Sequence, residues 1–238
     1  MNDMLQTLLG GLPALGLTLS DETAKKLCAF GEAVVEQNKV MNLTAITEED
    51  KVARLHFADC LYLLSCCDLR GKKIIDVGCG GGFPSLPLLC AEPKLDILGL
   101  DSTAKRINFV TESAEALGVG GKFVAARAEE YALKNREKFD IATSRAVASL
   151  NVLLELTLPF LKVGGKLLAM KGASGDKELA DATQAIAKLG GKLAKVHKFT
   201  LKDADGNEEE RCIIEIQKIS PTPNNFPRQY AQILKKPL

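Results

Sequence analysis

Residues 74–84 read Ile-Ile-Asp-Val-Gly-Cys-Gly-Gly-Gly-Phe-Pro, and this stretch decides the fold. The apolar run that opens it is typical of a buried strand, and the glycines that follow predict a tight turn. Because glycine has no Cβ, Gly78, Gly80 and Gly82 let the backbone pass close beneath a ligand. Proline is well tolerated in the first turn of a helix, so a helix is predicted to open near Pro84. The stretch therefore predicts a strand, a ligand-binding turn and a helix in succession.

From residue 72 onward, short apolar runs alternate with helical patterns, which is typical of βαβ units around a parallel sheet. Seven strands are predicted, near Lys73–Val77, Leu95–Leu100, Lys122–Ala125, Phe139–Ser144, Lys166–Lys171, Lys192–Thr200 and Arg211–Lys218. The connection between the last two is too short for a crossover helix, so these strands are predicted to form an antiparallel hairpin. The predicted fold class is therefore α/β, a seven-stranded and mostly parallel sheet in the layout of a class I, Rossmann-like methyltransferase.

The first 70 residues show helical patterns and no strand pattern. Ser20 and Thr47 are predicted to cap two amphipathic helices, because each precedes an apolar pattern with helical spacing. The tail that follows the last strand is basic and contains several prolines. We therefore divide the chain into an N-terminal helical extension at residues 1–70, a methyltransferase domain at residues 71–219 and a tail at residues 220–238.

The ligand of the glycine turn can be narrowed by comparing known glycine-rich loops. Asp101 ends the next predicted strand, where an acidic side chain can bind the two hydroxyls of a ribose. A dinucleotide loop needs a third glycine where this chain has Phe83, and a phosphate-binding P-loop needs Gly-Lys-Ser/Thr at its end. The pattern Asp-x-Gly-x-Gly-x-Gly that begins at Asp76 suits S-adenosylmethionine instead. A turn that only tightens strand-to-helix packing is the alternative.

Composition restricts the class of protein. The chain has 238 residues, 46% of them apolar, and its 31 basic and 30 acidic residues leave a formal net charge of +1. That balance argues against non-specific coating of polyanions, and no apolar run approaches the roughly 18 residues of a membrane helix. Seven cysteines without a CxxC pair argue against a disulfide framework, and two histidines argue against a metal centre. The composition predicts a cytoplasmic protein without metal or membrane contact.

Charge is unevenly distributed along the chain. Residues 1–70 hold 6 basic and 10 acidic residues, whereas residues 71–238 hold 25 basic and 20 acidic residues. Basic side chains near the predicted strand ends and in the tail are candidates for phosphate contacts with RNA. The candidates are Lys105, Arg106, Lys171 and Arg228. An ordinary solvated surface is the alternative for any one of them.

Several motifs together resemble one known family. They are Asn38–Thr44 (NKVMNLT), His56–Asp59 (HFAD), Asp76–Pro87 (DVGCGGGFPSLP), Leu100–Phe109 (LDSTAKRINF), Arg127–Glu129 (RAE) and Thr143–Leu150 (TSRAVASL). In this order they resemble the glucose-inhibited division protein B family, the guanine-N7 methyltransferases of small-subunit ribosomal RNA. The similarity runs from about residue 38 to residue 238. It departs at Tyr230–Leu234, where the family commonly has a Gly-x-Pro stretch.

The resemblance implies an activity, partners and site residues. It implies methyl transfer from S-adenosylmethionine to N7 of a guanine in 16S ribosomal RNA, within the small ribosomal subunit or an assembly intermediate. It implies cofactor contacts at Gly78, Phe83, Ala128, Glu129 and Arg145, which join Asp101 as candidates. Phe83 has an alternative role as core beneath the turn, and Arg145 has one as a surface ion pair.

Missing motifs also bear on which atom accepts the methyl group. The fourth strand ends in Ser144-Arg-Ala-Val, where amino-group methyltransferases typically carry Asn/Asp-Pro-Pro-aromatic. Pyrimidine C5 methylation needs a cysteine nucleophile, often in a Pro-Cys pair, and no cysteine follows a proline here. Lys171 and Glu215 could supply two members of a ribose 2′-oxygen set. Guanine N7 already has a free lone pair and needs no general base, so no catalytic residue is predicted. A methyltransferase for a ribose 2′-oxygen or a small molecule, and a non-catalytic RNA-binding module, stay open.

Overall fold

The computed structural model describes residues 3–203 and 205–238 and is built around one mixed sheet. Its strands are β1 (Lys73–Val77), β2 (Asp96–Asp101), β3 (Lys122–Ala125), β4 (Phe139–Arg145), β5 (Leu161–Lys171), β6 (Gly191–Lys202) and β7 (Glu208–Lys218). They lie in the order 3-2-1-4-5-7-6. β1 to β5 are parallel, and β7 is antiparallel to both β5 and β6. The predicted fold class is confirmed.

Helices cover both faces of the sheet and the region before it. They are α1 (Asp3–Gly11), α2 (Asp21–Met41), α3 (Glu49–Lys51), α4 (Asp59–Leu61), α5 (Leu63–Cys66), α6 (Ser85–Ala91), α7 (Ala104–Leu117), α8 (Ala128–Lys134), α9 (Leu150–Thr157), α10 (Gly175–Asp181), α11 (Thr183–Lys188) and α12 (Tyr230–Lys235). A π-helical segment, Val52–Ala58, joins α3 to α4. Within the described ranges, no helix has the length and apolar character needed to cross a membrane.

The two predicted helix caps have different outcomes. The Ser20 hydroxyl accepts a hydrogen bond from the Thr23 N–H at 3.1 Å, which confirms the cap of α2. The prediction for Thr47 is wrong. Glu48 takes the capping position before α3, and no side chain caps that helix. The helix begins one residue later than predicted, and the Thr47 N–H donates to the Glu48 carboxylate at 3.4 Å.

Alternation along each strand separates two cores. Ile74 belongs to the core that also contains Phe30 and Phe57 of the N-terminal region, whereas Ile75 belongs to the core on the opposite face. Neighbouring residues of a strand point to opposite faces of a sheet, so each strand contributes to both cores. The N-terminal helices therefore pack directly on the sheet and share a core with α6 and α7.

Strand boundaries differ from prediction at the glycines of β5 and at the hairpin. β5 begins five residues earlier than predicted and includes Gly164–Gly165, beside a shift in its register with β4. A Cβ at Gly165 would stand 2.8 Å from the Asp140 carbonyl oxygen, so glycine admits an irregular strand instead of ending it. β6 and β7 continue to the pair Lys202 and Glu208, which shortens the predicted loop.

The C-terminal tail packs against the sheet. Phe226 and Ile233 are buried in the core formed with α9 and β7. The Arg136 guanidinium donates to the Thr222 carbonyl oxygen at 2.5 Å, and the buried Lys218 ammonium donates to the Leu158 carbonyl oxygen at 2.7 Å. These contacts make residues 220–238 an ordered arm.

Candidate active site

The glycine turn after β1 has a backbone that other residues could adopt only with strain. Gly78 has a φ of +78°, and its N–H donates to the Leu100 carbonyl oxygen at 2.7 Å. A Cβ at Gly78 would stand 2.3 Å from a methyl carbon of Val147. Gly82 has a φ of +97°, and a Cβ there would stand 2.9 Å from Leu86. Glycine is therefore required at both positions, by conformation and by space.

A cavity of about 390 Å³ opens at the carboxyl edge of the sheet, above the glycine turn. In sheets of this kind, ligands bind outside the carboxyl ends of the strands. All six predicted cofactor residues line this cavity: Gly78, Phe83, Asp101, Ala128, Glu129 and Arg145. The structure thus brings together residues from the ends of four strands. Their contact with a cofactor stays a prediction.

Asp101 is positioned for two further hydrogen bonds. It is 7% exposed, and each carboxylate oxygen accepts one backbone N–H, from Gly80 at 3.1 Å and from Thr103 at 2.8 Å. A carboxylate oxygen has two lone pairs, so each can accept once more. Arg106 adds a positive charge 3.9 Å from one of them. The carboxylate can therefore bind a ribose diol from the cavity.

Asp76 lies beneath the glycine turn and is incompletely paired. The Ser85 hydroxyl donates to its Oδ2 at 2.6 Å, while its Oδ1 is buried with no hydrogen-bond partner among the residues that the structure describes. Burial raises the pKa of this carboxyl to about 7, against the lowering effect of the Ser85 hydrogen bonds. Asp76 does not line the cavity itself. The groups that fit S-adenosylmethionine are the glycine turn, which allows close approach, and the Asp101 carboxylate, which can accept from the two hydroxyls of a ribose.

Arg145 ends β4 and is held by groups from the N-terminal helices. Its Nη1 donates to the Leu55 carbonyl oxygen at 3.1 Å and lies 3.0 Å from Nδ1 of His56. Asp59 supplies an opposite charge 3.7 Å away. The guanidinium carbon lies 4.6 Å from the centre of the Phe83 ring, in cation–π geometry. The Arg145 side chain is only 14% exposed, so it is a wall of the cavity and not a surface ion pair.

Phe83 lies in the core beneath the turn and also lines the cavity, and its contact with a cofactor stays a prediction. It is 6% exposed and lies in the N-terminal core, with ring centres 5.2 Å from Phe30 and 6.2 Å from Phe57. The same ring lines the cavity beneath Arg145. Aromatic packing therefore connects the hydrophobic core to the floor of the site.

Two of the four candidates for RNA contact lie beside the cavity. Arg106 lines it with a side chain that is 37% exposed, and its neighbour Lys105 is exposed at the start of α7. Both follow Asp101 closely in sequence because the chain turns from β2 into α7 at this edge. They stay candidates for phosphate contact.

The other two candidates have partners within the chain. The Lys171 ammonium donates to the Ala148 carbonyl oxygen at 2.6 Å and pairs with Glu178 at 2.8 Å. The Arg228 guanidinium pairs with Glu155 at 2.6 Å. The structure therefore gives Lys171 a role in holding the loop after β4, and gives Arg228 a role in holding the tail.

Sequence reasoning missed several residues of the cavity. Leu43 reaches it from the loop after α2, and Tyr230 reaches it from the tail. The Tyr230 ring lies 6.0 Å from the Arg127 guanidinium, which brings the tail against the segment after β3. Val147 was missed as well, although it stands in a motif that the resemblance includes. Leu43 also stands in such a motif, Asn38–Thr44, whereas no motif marks Tyr230, whose partner Arg127 is distant in sequence.

Comparison with known proteins shows the family of this chain. A family model described as GidB, rRNA small subunit methyltransferase G, matches residues 23–207, well over half of the chain. The chain belongs to this family. A relative from Leuconostoc citreum (strain KM20), named "Ribosomal RNA small subunit methyltransferase G", is 40% identical over 240 residues, covering 98% of this chain and 99% of the relative. A relative of the same name from Exiguobacterium sp. (strain ATCC BAA-1283 / AT1b) is 43% identical over 231 residues, covering 95% and 96%.

Solved structures share the fold at low sequence identity. A putative methyltransferase from Bacillus halodurans C-125 has a TM-score of 0.55 and 16% identity, covering 68% of this chain and all of that one. M. jannaschii TYW2 in complex with AdoMet has a TM-score of 0.50 and 17% identity, covering 62% and 69%. These likenesses show the class I methyltransferase fold. Family and fold are those of S-adenosylmethionine-dependent methyltransferases, as the resemblance implied.

Proposed function

We propose that this chain transfers a methyl group from S-adenosylmethionine to N7 of a guanine in 16S ribosomal RNA. The substrate is the RNA of the small ribosomal subunit or of an assembly intermediate, which places the enzyme in the cytoplasm. The resemblance to the guanine-N7 family carries the choice of atom, and one observation supports it: among the described residues that line the cavity, those at the end of β4 include no histidine, lysine or carboxylate. A site without a general base there suits an acceptor that has no proton to lose.

The acidic residues of the cavity lie at its other end. Asp101 ends β2 and Glu129 follows β3, where the nucleoside of the cofactor is predicted. The Cys79 thiol also lines the cavity, but burial raises its pKa well above the ordinary value, so it is no ready nucleophile. Guanine N7 attacks with its own lone pair and needs neither group.

The ribose 2′-oxygen alternative finds no matching pair of residues. Lys171 pairs with Glu178, whereas Glu215 pairs with Lys166 at 2.7 Å and with His197 at 2.8 Å. Neither Lys171 nor Glu215 lines the cavity. Lys171 and Glu215 therefore pair with different residues away from the cavity and cannot together deprotonate a ribose hydroxyl, which supports the N7 assignment.

Catalysis at this site consists of positioning. The cofactor, when bound, supplies an electrophilic methyl group. Asp101 orients the ribose through its two carboxylate oxygens, and the glycine turn provides the close approach. Arg145 has its Nη1 anchored while the guanidinium lines the cavity, so it can donate to O6 of the guanine, the atom beside N7. Holding the acceptor in line with the methyl group can supply much of the rate enhancement.

RNA is proposed to approach from the rim that carries Lys105 and Arg106. These side chains lie beside Asp101 at the carboxyl edge, and neither is buried. Phosphate contacts there would position the RNA without reading its sequence. Lys171 and Arg228 are not proposed as RNA contacts, since both are paired within 2.8 Å and their side chains are only 8% and 22% exposed.

The test uses labelled cofactor and defined RNA. Purified protein is incubated with methyl-labelled S-adenosylmethionine and small subunits, or with free 16S RNA, from cells that lack the gene. Nucleosides from the digest are identified by mass spectrometry, and 7-methylguanosine is expected to carry the label. Arg145→Ala should reduce the label at saturating RNA, whereas Arg70→Ala, an arginine 72% exposed before β1, should not. Label in a ribose or in another base would overturn the proposal.

A further inference from the structure

The groups that hold Arg145 come from one irregular helical segment. Its Nη1 donates to the Leu55 carbonyl oxygen at 3.1 Å and lies 3.0 Å from Nδ1 of His56. Both belong to the π-helical segment Val52–Ala58, a conformation that recurs at functional sites. On the basis of the methyl transfer proposed above, we propose that His56 is a positioning residue, which acts by fixing the Arg145 guanidinium against the cavity wall.

Donor chemistry determines the tautomer of His56. A guanidinium has only donors, so Nδ1 of His56 must accept and the ring proton lies on Nε2. Nε2 lies 2.8 Å from the Thr44 hydroxyl oxygen, to which it donates. Each ring nitrogen therefore has a side-chain partner, and the imidazole connects Thr44 to Arg145.

The surroundings keep the imidazole neutral, as this role requires. Burial, with a further contribution from the Arg145 charge, lowers the pKa of His56 to about 3. The residue is 6% exposed, and its ring centre lies 4.6 Å from that of Phe83. A protonated ring could not accept from Arg145 and would repel it. Asp59 faces the same guanidinium at 3.7 Å and provides its counter-charge.

Thr44 extends the connection to the loop after α2. Its hydroxyl oxygen also accepts from the Ile46 N–H at 3.0 Å, and its own N–H donates to the Asn38 side-chain oxygen at 2.9 Å. Leu43, the residue before it, lines the cavity. The two N-terminal motifs of the resemblance therefore meet at one wall of the site, which gives the helical extension a part in the reaction.

Loss of the Nδ1 acceptor would leave Arg145 with a competing partner. Its remaining anchors are the Leu55 carbonyl and the Phe83 ring, and the Asp59 carboxylate lies within reach. A guanidinium that turns toward Asp59 moves away from the guanine that accepts the methyl group. A displacement of about 1 Å in a reacting geometry can cost about a hundredfold in rate. The effect of His56 is therefore expected in methyl transfer itself.

Two substitutions of this residue separate positioning from packing. His56→Asn removes the ring but keeps an oxygen near the place of Nδ1, where it can accept from Arg145. His56→Gln also removes the ring, but its amide extends toward Thr44 and leaves Arg145 without that acceptor. The control is His197→Gln, which changes the other histidine of the chain, paired with Glu215 and outside the cavity lining.

The expected kinetics distinguish the variants. Both His56 variants should lose thermal stability to a similar degree. At saturating RNA and cofactor, kcat should fall roughly tenfold for His56→Gln, stay within about threefold of wild type for His56→Asn and be unchanged for His197→Gln. Adding His56→Gln to Arg145→Ala should slow the reaction no further, because both remove one interaction. Equal kcat values for the two His56 variants, or an additive double variant, would overturn the proposal.

Two further measurements do not depend on which atom accepts the methyl group. Long-range ¹H–¹⁵N NMR of the wild-type protein should show His56 as the neutral Nε2–H tautomer from about pH 5 to about pH 8, with His197→Gln assigning the signals. Calorimetric dissociation constants for S-adenosylmethionine should rank the His56 variants in the same order as kcat. A wild-type enzyme that methylates another atom would overturn the proposed function alone. An Nδ1–H tautomer would overturn the role of His56 whatever the acceptor.

Discussion

The guanidinium of Arg228 meets the carboxylate of Glu155 at 2.6 Å, and Glu155 has no exposed surface. The backbone N–H of Arg228 donates to the same carboxylate at 2.7 Å. A buried carboxylate needs such partners, since desolvation without them is costly. This pair fastens the C-terminal tail to α9, and the tail in turn brings Tyr230 to the cavity.

Removal of the Arg228 side chain should therefore destabilise the protein. Arg228→Ala leaves the Glu155 charge buried with one partner fewer, and the free energy of unfolding in urea should fall by about 3 kcal/mol. Lys235→Ala removes an exposed positive charge from the same tail and should change the free energy of unfolding by less than about 0.5 kcal/mol. Equal stabilities for the two variants would show that the ion pair does not fasten the tail.

Gly78→Ala should abolish cofactor binding and lower stability. The added Cβ would stand 2.3 Å from Val147 and would sit on a backbone with a φ of +78°. Gly16→Ala is the matched control, since Gly16 has a φ of +70° with open space around it. Gly16→Ala should lower the free energy of unfolding by about 1 kcal/mol, through the backbone conformation alone. Any larger loss in Gly78→Ala then measures the contact with Val147. Intact S-adenosylmethionine binding by Gly78→Ala in calorimetry would contradict the close approach assigned to this turn.

Asp101→Ala should weaken S-adenosylmethionine binding by about 1–3 kcal/mol, because the ribose hydroxyls would lose their acceptors. Asp101→Asn keeps one oxygen acceptor and should lose less. Asp96→Ala removes an exposed acid from the other end of the same strand and should leave the dissociation constant unchanged. Calorimetric titration measures all three. Wild-type affinity in Asp101→Ala would show that the carboxylate serves only the turn.

Asp76 should make stability depend on pH. Its folded-state pKa of about 7 lies above the ordinary value of 3.8 for aspartate, so protonation favours the folded form. That stabilisation is complete below about pH 4 and is lost as the pH rises through about 7. Relative to Asp76→Asn, which cannot ionise, the wild-type free energy of unfolding should fall by about 3 kcal/mol between about pH 5 and about pH 8. Parallel urea-unfolding profiles for the two proteins would contradict a raised pKa.

The strands were predictable because their pattern is local. In β1, Ile74 and Ile75 alternate between two cores, so a short apolar run bounded by glycine was sufficient to predict a buried strand. The predicted start of β5 was wrong because glycine there does not end a helix-to-strand connection but lies within the strand. At Gly164–Gly165 a predicted break became an irregularity within β5, because close contact with the Asp140 carbonyl decides the conformation there.

The cavity was predictable for a related reason. Parallel strands place their carboxyl ends along one edge, so Gly78, Asp101 and Arg145 were expected together before any contact was known. The structure brings them to one cavity, and their binding roles stay predictions for the experiments above. The resemblance to a family, which the comparisons confirm, narrowed the acceptor further than geometry does.

Charged side chains were the least predictable feature. Arg228 was an attractive RNA contact because its segment is basic, yet its partner Glu155 lies 73 residues earlier in the chain. A charge pattern along the chain reports where positive groups occur, but not which of them are paired. Pairing depends on which surfaces the folded chain brings together.

The sequence by itself determined the sheet and the glycine turn, because each follows from residue spacing over a few positions. Together with the family resemblance, it also predicted the class of ligand. Only the tertiary structure decided how Arg145 is held. Its partner His56 lies 89 residues earlier, in a helix whose own pattern predicts no more than amphipathic packing. The same holds for Tyr230, which enters the cavity from the tail. Such contacts arise from the packing of whole elements against one another, and the local periodicity of the sequence does not predict them.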